Sequence, residues 1–502
     1  MDNKTIYALS TAHGKSGVAV IRVSGADAFA VFDRLTDLPS AEVVDRKMYF
    51  LPIFNHVSRE TSSSPAENSA TAMLAKTAST VEQTKSSPAE NSAMEMLAKT
   101  VSAVKQTVKD ANNARQLLDK GMLVGFRAPH SFTGENTVEI NCHGSKAVIR
   151  GIIETLAELP NFRLAEAGEF SRRAFYNNKM DLTEADGLAD LIDAETAMQR
   201  KVALQQMGGT LLNTYESWRS ELVQILSHIE AYIDFPEEDI PENTVQEIQN
   251  SVFKLIETIK MHLNSNKVEE RLRDGFRVVI AGPTNAGKSS LINAIAKRNV
   301  AIVSDIAGTT RDVIESYVDL KGIPVIFSDT AGLREANDDI EKIGIDLAKE
   351  KIAAADFKLF LFDASIDTPQ IFADYLDSQN NYLLVANKTD KLSASQVEAL
   401  QKAGCLTICA KHAENIDALT DKIYTYFSNI LSESSSGLIT RQRYKEALWA
   451  CIENLERFNL QKEIELAAED IRLACREIGK ITGRVEVDEI LDKIFSSFCI
   501  GK

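Results

Sequence analysis

Several features of secreted, membrane-spanning or nucleic-acid-coating proteins are missing from this chain of 502 residues. Its six cysteines form no C-x-x-C pair, and the N-terminus has no apolar signal segment. No run of about 20 apolar residues is present to cross a membrane. Acidic residues outnumber basic ones, 72 against 56, and the net charge of −16 argues against coating nucleic acid through overall charge. We therefore expect a cytoplasmic protein with reduced thiols.

A glycine-rich segment near the middle of the chain carries the clearest chemistry. An apolar run, Val278–Ala281, leads into Gly282-Pro283-Thr284-Asn285-Ala286-Gly287-Lys288-Ser289, and a helix is predicted to follow. The spacing matches a P-loop, G-x-x-x-x-G-K-S, whose helix N-terminus aims free amides at phosphate. We expect Lys288 to reach the outer phosphates and the Ser289 hydroxyl to ligate Mg²⁺. A single match to this motif also occurs by chance, so the neighbouring motifs must decide whether the segment binds a nucleotide.

Four further segments supply that context, each at the end of an apolar run or in a loop. Asp329 begins an Asp-x-x-Gly motif, and the hydroxyl-rich loop before it offers Thr310 as a second Mg²⁺ ligand. In Asn387-Lys388-Thr389-Asp390, the carboxylate of Asp390 can accept from N1 and the 2-amino group of guanine, whereas adenine offers neither donor. The fourth segment, Cys409-Ala410-Lys411, follows an apolar run and could present a backbone amide to the guanine carbonyl. We therefore predict a GTP site. Its predicted residues are Asn285, Ala286, Gly287, Lys288, Ser289, Ser290, Ser304, Asp305, Ile306, Ala307, Gly308, Thr309, Thr310, Asp329, Thr330, Ala331, Gly332, Asn387, Lys388, Asp390, Cys409, Ala410 and Lys411.

The N-terminal stretch alternates short apolar runs with glycines. Thr5–Leu9 and Val18–Gly25 are predicted strands on either side of Gly14-Lys15-Ser16-Gly17, whose glycines a tight turn also explains. Arg22 inside an apolar strand needs a partner or an anionic ligand. Glu139 lies on the polar face of a later predicted strand. A side chain that is simply exposed to solvent would also fit this position.

Residues 58–120 differ in composition from their surroundings. Ser63–Ala70 recurs as Ser86–Ala93, 23 residues later (63 to 86). A segment rich in Ser, Ala, Thr and Glu, with few large apolar side chains, cannot offset its ordering entropy by burial. We predict a duplicated surface insertion that is partly helical or disordered.

Helical periodicity dominates after Ser171. Apolar residues from Leu204 to Tyr232 step by threes and fours and predict one long helix that ends at Pro236. The helical pattern returns after the nucleotide motifs, from Leu448 to Phe458 and from Ile490 to Phe498. We predict an α/β and α+β multidomain protein, with a P-loop GTPase of mixed doubly wound sheet inserted into a helical domain and preceded by an α+β domain.

The chain length suggests about three domains. The predicted boundaries are 1–175 for the N-terminal domain, 176–272 and 431–502 for the two parts of the helical domain, and 273–430 for the GTPase domain.

The C-terminal sequence Phe498-Cys499-Ile500-Gly501-Lys502 contains a thiol close to the end of the chain. Prenylation is excluded, because the last residue of C-I-G-K is not an accepted type. Two interpretations stay open: a frayed tail holding a half-buried thiol, or a mobile thiolate nucleophile or proton carrier modulated by Lys502.

Apart from residues 58–120, the chain resembles the MnmE/TrmE family of tRNA-modification GTPases over nearly its whole length. The nucleotide motifs carry this resemblance together with Gly14–Gly25, Ser131–Glu135, Gly168–Phe175, Asp181–Ala194 and Phe498–Lys502. Two loops differ from the usual family pattern. Gly282-Pro283-Thr284-Asn285 stands where Gly-Arg-Pro-Asn is frequent, with the asparagine kept, and Gly14-Lys15-Ser16-Gly17 stands where Gly-Arg-Gly-Gly is usual.

The resemblance implies a homodimer whose N-terminal domain binds 5-formyltetrahydrofolate. It also implies a flavin-dependent partner of the MnmG/GidA type, with which the family builds a carboxymethylaminomethyl group on C5 of the wobble uridine in tRNA. The implied folate contacts are Arg22, Glu139, Lys179 and Lys502.

The resemblance also bears on how GTP is hydrolysed. Leu333 follows the Asp-x-x-Gly motif where a Ras-like site has glutamine, so another group must position water. The family suggests K⁺ beside the phosphates, with ligands from Asn285, Ser304, Ile306 and Thr309. It also suggests Glu341 as the catalytic residue that positions water, although an exposed acidic helix start explains that residue too. Cys499 is the second catalytic candidate.

Two other classes of function remain alternatives to tRNA modification. A ribosome-assembly GTPase should carry a basic RNA-binding domain, which the acidic charge balance opposes. A regulatory GTPase switch without modification chemistry would make the C-terminal thiol incidental.

Overall fold

The computed structural model describes residues 2–12, 14–56, 115–234, 242–264, 267–298, 300–301, 315–329, 349–376, 381–433, 441–460, 463–485, 494–495, 498 and 501. The chain forms two compact units, one of residues 1–180 with 488–502 and the other of residues 181–487. Within these described ranges, no helix is both long enough and apolar enough to cross a membrane.

The first unit is built on a six-stranded sheet. Its strands are β1 (Thr5–Leu9), β2 (Ser16–Ser24), β3 (Met48–His56), β4 (Arg115–Phe126), β5 (Thr137–Gly144) and β6 (Phe162–Leu164), in the order β3-β4-β5-β2-β1-β6. Neighbouring strands are antiparallel except β1 and β6. Because side chains alternate along a strand, Ile21 and Val23 enter the core while Arg22 points to the other face, directly across from Glu139.

Within the described part of this unit, three helices cover the sheet: α1 (Ala30–Leu35), α2 (Lys146–Ala157) and α3 (Glu169–Tyr176). Phe32 of α1 and Ile152 of α2 are buried with Ile21 in the main core. Phe170 of α3 packs in a smaller cluster with Ile6 and Ala8 of β1. The sheet is therefore covered on both faces near Arg22.

Most of the helices that the structure describes belong to the second unit. They include α4 (Leu182–Asp193), α5 (Ala197–Met207), α6 (Thr210–Asp234), α7 (Glu242–Asn264), α8 (Lys267–Asp274), α9 (Lys288–Arg298), α10 (Ala394–Lys402), α11 (Ile416–Glu433), α12 (Gln442–Arg457) and α13 (Ile464–Thr482). Tyr215 of α6, Ile259 of α7, Leu448 of α12 and Ile478 of α13 belong to one hydrophobic core. Helices that precede and follow the nucleotide motifs thus share a core, which confirms the predicted helical domain interrupted by a GTPase.

A seven-stranded sheet carries the nucleotide motifs. Its strands are β7 (Phe276–Ala281), β8 (Val300–Ala301), β9 (Glu315–Leu320), β10 (Ile323–Asp329), β11 (Phe357–Asp363), β12 (Tyr382–Asn387) and β13 (Leu406–Thr407), in the order β13-β12-β11-β7-β10-β9-β8. From β13 to β10 neighbours are parallel, whereas β9 runs antiparallel to β10 and β8. Every residue of β11 is buried, as expected for a strand covered on both faces. The mixed sheet confirms the predicted fold class.

The structure differs from the sequence-based expectation in two places. The predicted single helix from Leu204 onward is wrong, because α5 ends at Met207 and α6 starts at Thr210. Between them lies Gly209, whose φ of +77° is outside the right-handed helical region. Strand β4 begins at Arg115, inside the predicted insertion, because its antiparallel ladder with β3 continues back to His56. The two copies of the sequence repeat lie outside the described residues.

Candidate nucleotide-binding site

Two glycines allow the loop between β7 and α9 to approach its neighbours closely. A Cβ on Gly282 would lie 2.0 Å from the carbonyl oxygen of Leu361. A Cβ on Gly287 would lie 2.3 Å from Nδ2 of Asn387, and the φ of Gly287 is +99°. Only glycine satisfies both space and backbone conformation at Gly287. The P-loop spacing seen in the sequence therefore has a direct steric cause.

Lys288 and Ser289 begin α9 at the phosphate end of this loop. Lys288 is buried, and its Nζ donates to the carbonyl oxygens of Gly282 at 3.2 Å and Pro283 at 3.3 Å. Burial lowers the pKa of Lys288, while Asp329, 3.8 Å away, opposes that effect. The Ser289 hydroxyl donates to Oδ2 of Asp329 at 3.1 Å. An ammonium, a hydroxyl and a carboxylate thus meet where a polyphosphate and its cation are predicted to bind.

Asn387, at the end of β12, connects three segments of the site. Its Nδ2 donates to the carbonyl of Ala286 at 2.7 Å, and its Oδ1 accepts from the backbone N–H of Ala410 at 3.0 Å. The side chain is buried. Asn387 therefore fixes the P-loop relative to both loops predicted to hold the base.

Lys388 connects the P-loop with the end of β11. Its Nζ donates to the carbonyl of Asn285 and to Oδ2 of Asp363, both at 2.7 Å. Burial acts to raise the pKa of Asp363, but hydrogen bonds from Lys388 and Ser365 produce a net lowering. The sequence interpretation missed Asp363. Its position after the apolar run Phe357–Phe362, like that of Asp329 after its own strand, was the available signal.

Asp390 is exposed at the base end of the site, where it borders a cavity of about 340 Å³. Its Oδ1 accepts a hydrogen bond from Sγ of Cys409 at 3.2 Å, and this bond lowers the pKa of Asp390. The cavity is lined by Gly287, Ser290, Asn387, Lys388, Asp390, Lys391, Cys409, Ala410 and Lys411. An ionised carboxylate in a pocket that joins the P-loop to the last sheet loop fits the donors of guanine.

In the first unit, two of the predicted folate contacts lie beside one loop, and a third is bonded to one of those two. The Nε of Arg22 donates to Oε1 of Glu139 at 3.0 Å, and the guanidinium lies 5.2 Å from the ring centre of Phe132. The stem of Lys179 lies beside Gly134, where an added Cβ would be 3.3 Å from its Cγ and Cε. Arg22 and Lys179 therefore lie beside the segment Phe132–Gly134, and Glu139 is bonded to Arg22.

A buried ionic network next to this segment was not assigned from the sequence. Arg163 donates through both terminal nitrogens to Glu169 at 2.7 Å, and Arg173 bonds Glu169 at 3.0 Å and Glu135 at 3.1 Å. Burial acts to raise the pKa of Glu169, but its arginine partners and the Glu166 amide produce a net lowering. The sequence signal for this network is the presence of three charged residues on the short helix α3, one face of which must be buried.

The end of the chain lies against the first strand of the same unit. The Ser10 hydroxyl donates to the carbonyl of Gly501 at 3.0 Å. A Cβ on Gly501 would lie 2.2 Å from the carbonyl of Leu9, and one on Gly168 would lie 2.5 Å from that of Phe495. Glycines at both places thus permit close packing of the tail segment.

Comparison with known proteins gives matches along nearly the whole chain. The model described as the MnmE helical domain matches residues 182–499, and the model described as the GTP-binding protein TrmE N-terminus matches residues 5–84 and 62–179. The tRNA modification GTPase MnmE of Rickettsia bellii (strain RML369-C) is 40% identical over 502 residues, which covers 99% of this chain and 100% of the relative. The chain belongs to the MnmE family.

Two further matches differ in how much of the chain they cover. The tRNA modification GTPase MnmE of Rickettsia typhi (strain ATCC VR-144 / Wilmington) is 39% identical over 502 residues, which covers 99% of this chain and 100% of the relative. Among solved structures, Era in complex with MgGDPNP and a fragment of 16S ribosomal RNA is 30% identical. That match covers 30% of this chain and 56% of the other at a TM-score of 0.26, so it supports no argument about the MnmE-family site.

Part of the site expected of an MnmE-family member lies outside the described residues. This part includes the Mg²⁺ candidate Thr310, the K⁺ candidates Ser304, Ile306 and Thr309, the catalytic candidates Glu341 and Cys499, and the folate candidate Lys502. The remaining predicted nucleotide residues outside the described ranges are Asp305, Ala307, Gly308, Thr330, Ala331 and Gly332. Ser289 and Asp329 nevertheless fit a hard cation, because both offer oxygen at the phosphate end.

Proposed function

We propose that this tRNA modification GTPase hydrolyses GTP and uses that cycle to modify C5 of the wobble uridine in tRNA. The product is a carboxymethylaminomethyl group, made in the cytoplasm with 5-formyltetrahydrofolate and a flavin-dependent partner of the MnmG/GidA type. Family membership supports the tRNA reaction. The observation that carries the choice of nucleotide is the exposed Asp390 carboxylate in the pocket beside the P-loop.

Guanine recognition follows from the chemistry of the base end. Asp390 can accept from N1 and the 2-amino group, and the Cys409–Lys411 loop offers backbone amides to the guanine carbonyl. Asn387 holds this loop and the P-loop at a fixed separation through its two hydrogen bonds. An adenine in the same place would leave Asp390 facing an acceptor, which costs binding energy.

Phosphate binding and hydrolysis use the other end of the site. Lys288 exchanges its loop carbonyls for phosphate oxygens, and the Ser289 hydroxyl, with Thr310, holds Mg²⁺. When bound, Mg²⁺ and K⁺ would neutralise negative charge on the phosphates. Asn285, Ser304, Ile306 and Thr309 hold K⁺, and Glu341 orients the attacking water.

The N-terminal domain supplies the one-carbon chemistry in this proposal. Arg22 and Lys179 offer cationic groups to the glutamate moiety or ring carbonyl of the folate, and Glu139 accepts from its amino groups. Phe132 provides an aromatic surface 5.2 Å from the Arg22 guanidinium. Lys502 adds a contact from the chain end.

The decisive experiment measures wobble nucleosides by mass spectrometry in a strain that lacks this gene. Complementation with the wild-type gene should restore the carboxymethylaminomethyl nucleoside, whereas Lys288→Ala and Arg22→Ala should not. Loss in only the first variant would separate GTP hydrolysis from the proposed folate site. Unchanged nucleosides in the deletion strain would reject the modification function and favour a regulatory or ribosome-assembly GTPase.

A further inference from the structure

Three potential metal ligands converge at the base end of the nucleotide pocket. Ligand atoms of Asp390, Cys409 and His412 all lie within 4.8 Å of one another. The two side chains from the loops, Asp390 and His412, are exposed, whereas Cys409 is buried. The thiol faces the carboxylate, with Sγ 3.2 Å from Oδ1. One soft ligand and two harder ones thus share a small volume that opens to solvent.

The loop that carries Cys409 and His412 has a fixed conformation. The backbone N–H of Cys409 donates to the carbonyl of Glu414 at 3.2 Å, and the N–H of Glu414 donates back to Cys409 at 3.0 Å. The backbone of His412 also hydrogen-bonds the Cys409 thiol inside this closed turn. The C-x-x-H spacing therefore lies on a closed backbone turn that keeps Cys409 and His412 near each other.

The distances suit a small tetrahedral ion. With zinc bonds of about 2.0 to 2.3 Å, neighbouring ligands of a tetrahedral site lie about 3.5 Å apart. The Cys409–Asp390 separation already matches one such edge, and the exposed imidazole of His412 can close the remaining gap by side-chain rotation. Thiolate, imidazole and carboxylate together favour zinc over Mg²⁺ or Ca²⁺, which prefer oxygen alone.

We propose that Asp390, Cys409 and His412 bind a zinc-class divalent cation when the nucleotide is absent, and that the cation and guanine exclude each other. Exclusion follows because both need the Asp390 carboxylate, so this part rests on the proposed guanine site. On metal binding the Cys409 thiol releases its proton to solvent, and water occupies the fourth position. Zinc would then hold the protein in a nucleotide-free state.

Direct binding is tested with Co²⁺ on the full-length, nucleotide-free protein. A thiolate-to-cobalt absorption band should appear in the wild type and disappear in Cys409→Ser. The band should persist in Cys475→Ser, the control variant, which removes a half-buried thiol elsewhere in the chain. His412→Ala should weaken Co²⁺ binding by at least about tenfold, since even loss of outer-shell partners costs that much. Absence of the band in the wild type, or its survival in Cys409→Ser, would overturn the proposal.

Exclusion is tested by titrating GDP in the presence of Zn²⁺. At Zn²⁺ about nine times its dissociation constant, the apparent Kd for GDP should rise about tenfold in the wild type. His412→Ala should bind GDP normally without zinc and show little rise, which controls for chelation of zinc by the phosphates. An equal rise in His412→Ala would reject exclusion at this site.

GDP binding without metal separates the two hypotheses. If wild-type protein fails to bind GDP in the absence of zinc, the proposed nucleotide site is at fault. If GDP binds and the cobalt band does not form, the metal site alone is rejected.

Discussion

At the scale of single residues, Asn387 joins two loops of the nucleotide pocket through its side chain. Asn387→Ala would leave the Ala286 carbonyl and the Ala410 N–H without their side-chain partner, and the two loops would lose their common support. Each lost hydrogen bond costs about 1 kcal/mol, so we expect GDP affinity to fall about ten- to hundredfold. Titration with a fluorescent GDP derivative measures the change.

A matched asparagine in the other unit serves as the control for this prediction. Asn177 also donates to a backbone carbonyl, that of Thr133 at 2.7 Å, but takes no part in the nucleotide pocket. Asn177→Ala should therefore leave GDP affinity unchanged. Equal losses in both variants would point to general destabilisation instead of a local role for Asn387.

Glu341 is the second residue whose substitution makes a sharp prediction. Phosphoryl transfer requires positioning more than a strong base, so Glu341→Ala should keep GTP affinity while turnover falls about a hundredfold or more. Binding and phosphate release are measured on the same preparation. If turnover persists, the neighbouring Asp338 or Asp339 becomes the candidate for orienting water.

At the scale of elements, the sequence predicted those whose pattern is local. Thr5–Leu9 is a strand with the predicted bounds, and the strand–loop–helix of the P-loop forms where its glycines require it. The break at Gly208–Gly209 was missed, because the apolar spacing continues through it while the backbone does not. Helix α13 was also missed, although Ile471, Ala474 and Ile478 share its buried face.

Contacts between distant segments were harder to predict from the sequence. The pairing of Lys388 with Asp363 and of Asp390 with Cys409 depends on which strand ends lie side by side, and this follows from the strand order of the sheet. The Arg163–Glu169–Arg173 network likewise depends on how α3 packs. Motif spacing identifies the chemistry of a site, whereas the topology of the sheet selects the partners.

The packing of α7 against α6 makes stability depend on pH. Burial lowers the pKa of His262 to about 4, and its ring lies edge-on to Trp218 at 5.1 Å. A lowered folded-state pKa means that the unfolded chain binds more protons between about pH 4 and the usual 6.5. The free energy of unfolding should therefore decrease by about 1 kcal/mol from about pH 7.5 to about 5.5.

Urea unfolding followed by tryptophan fluorescence measures this dependence. His262→Gln should remove most of the decrease, while His228→Gln, an exposed histidine on α6, should not. An unchanged pH slope in His262→Gln would show that other groups control the acid sensitivity.

At the scale of the whole molecule, hydrolysis is proposed to require two copies of the chain and K⁺. The site has Leu333 in place of a water-orienting glutamine. A K⁺ ion held when two GTPase domains pair would replace an arginine finger, a device worth about 10³- to 10⁵-fold in rate. GTP turnover should therefore be far faster in potassium than in sodium buffer and should rise with protein concentration. Equal rates in the two buffers would reject this mechanism.

The two activities should separate at the chain end. The P-loop provides no group that alkylates a base, so the carbon chemistry needs another site, and Cys499 is adjacent to Phe498, which is buried in the first unit. A thiolate there gains nucleophilicity if a cation such as Lys502 lowers its pKa. Cys499→Ser should therefore leave GTP hydrolysis intact and abolish wobble-uridine modification, whereas Cys475→Ser should preserve both. Normal modified-nucleoside levels in Cys499→Ser would show that this thiol is not the nucleophile, and the proposed folate site would then need a different one.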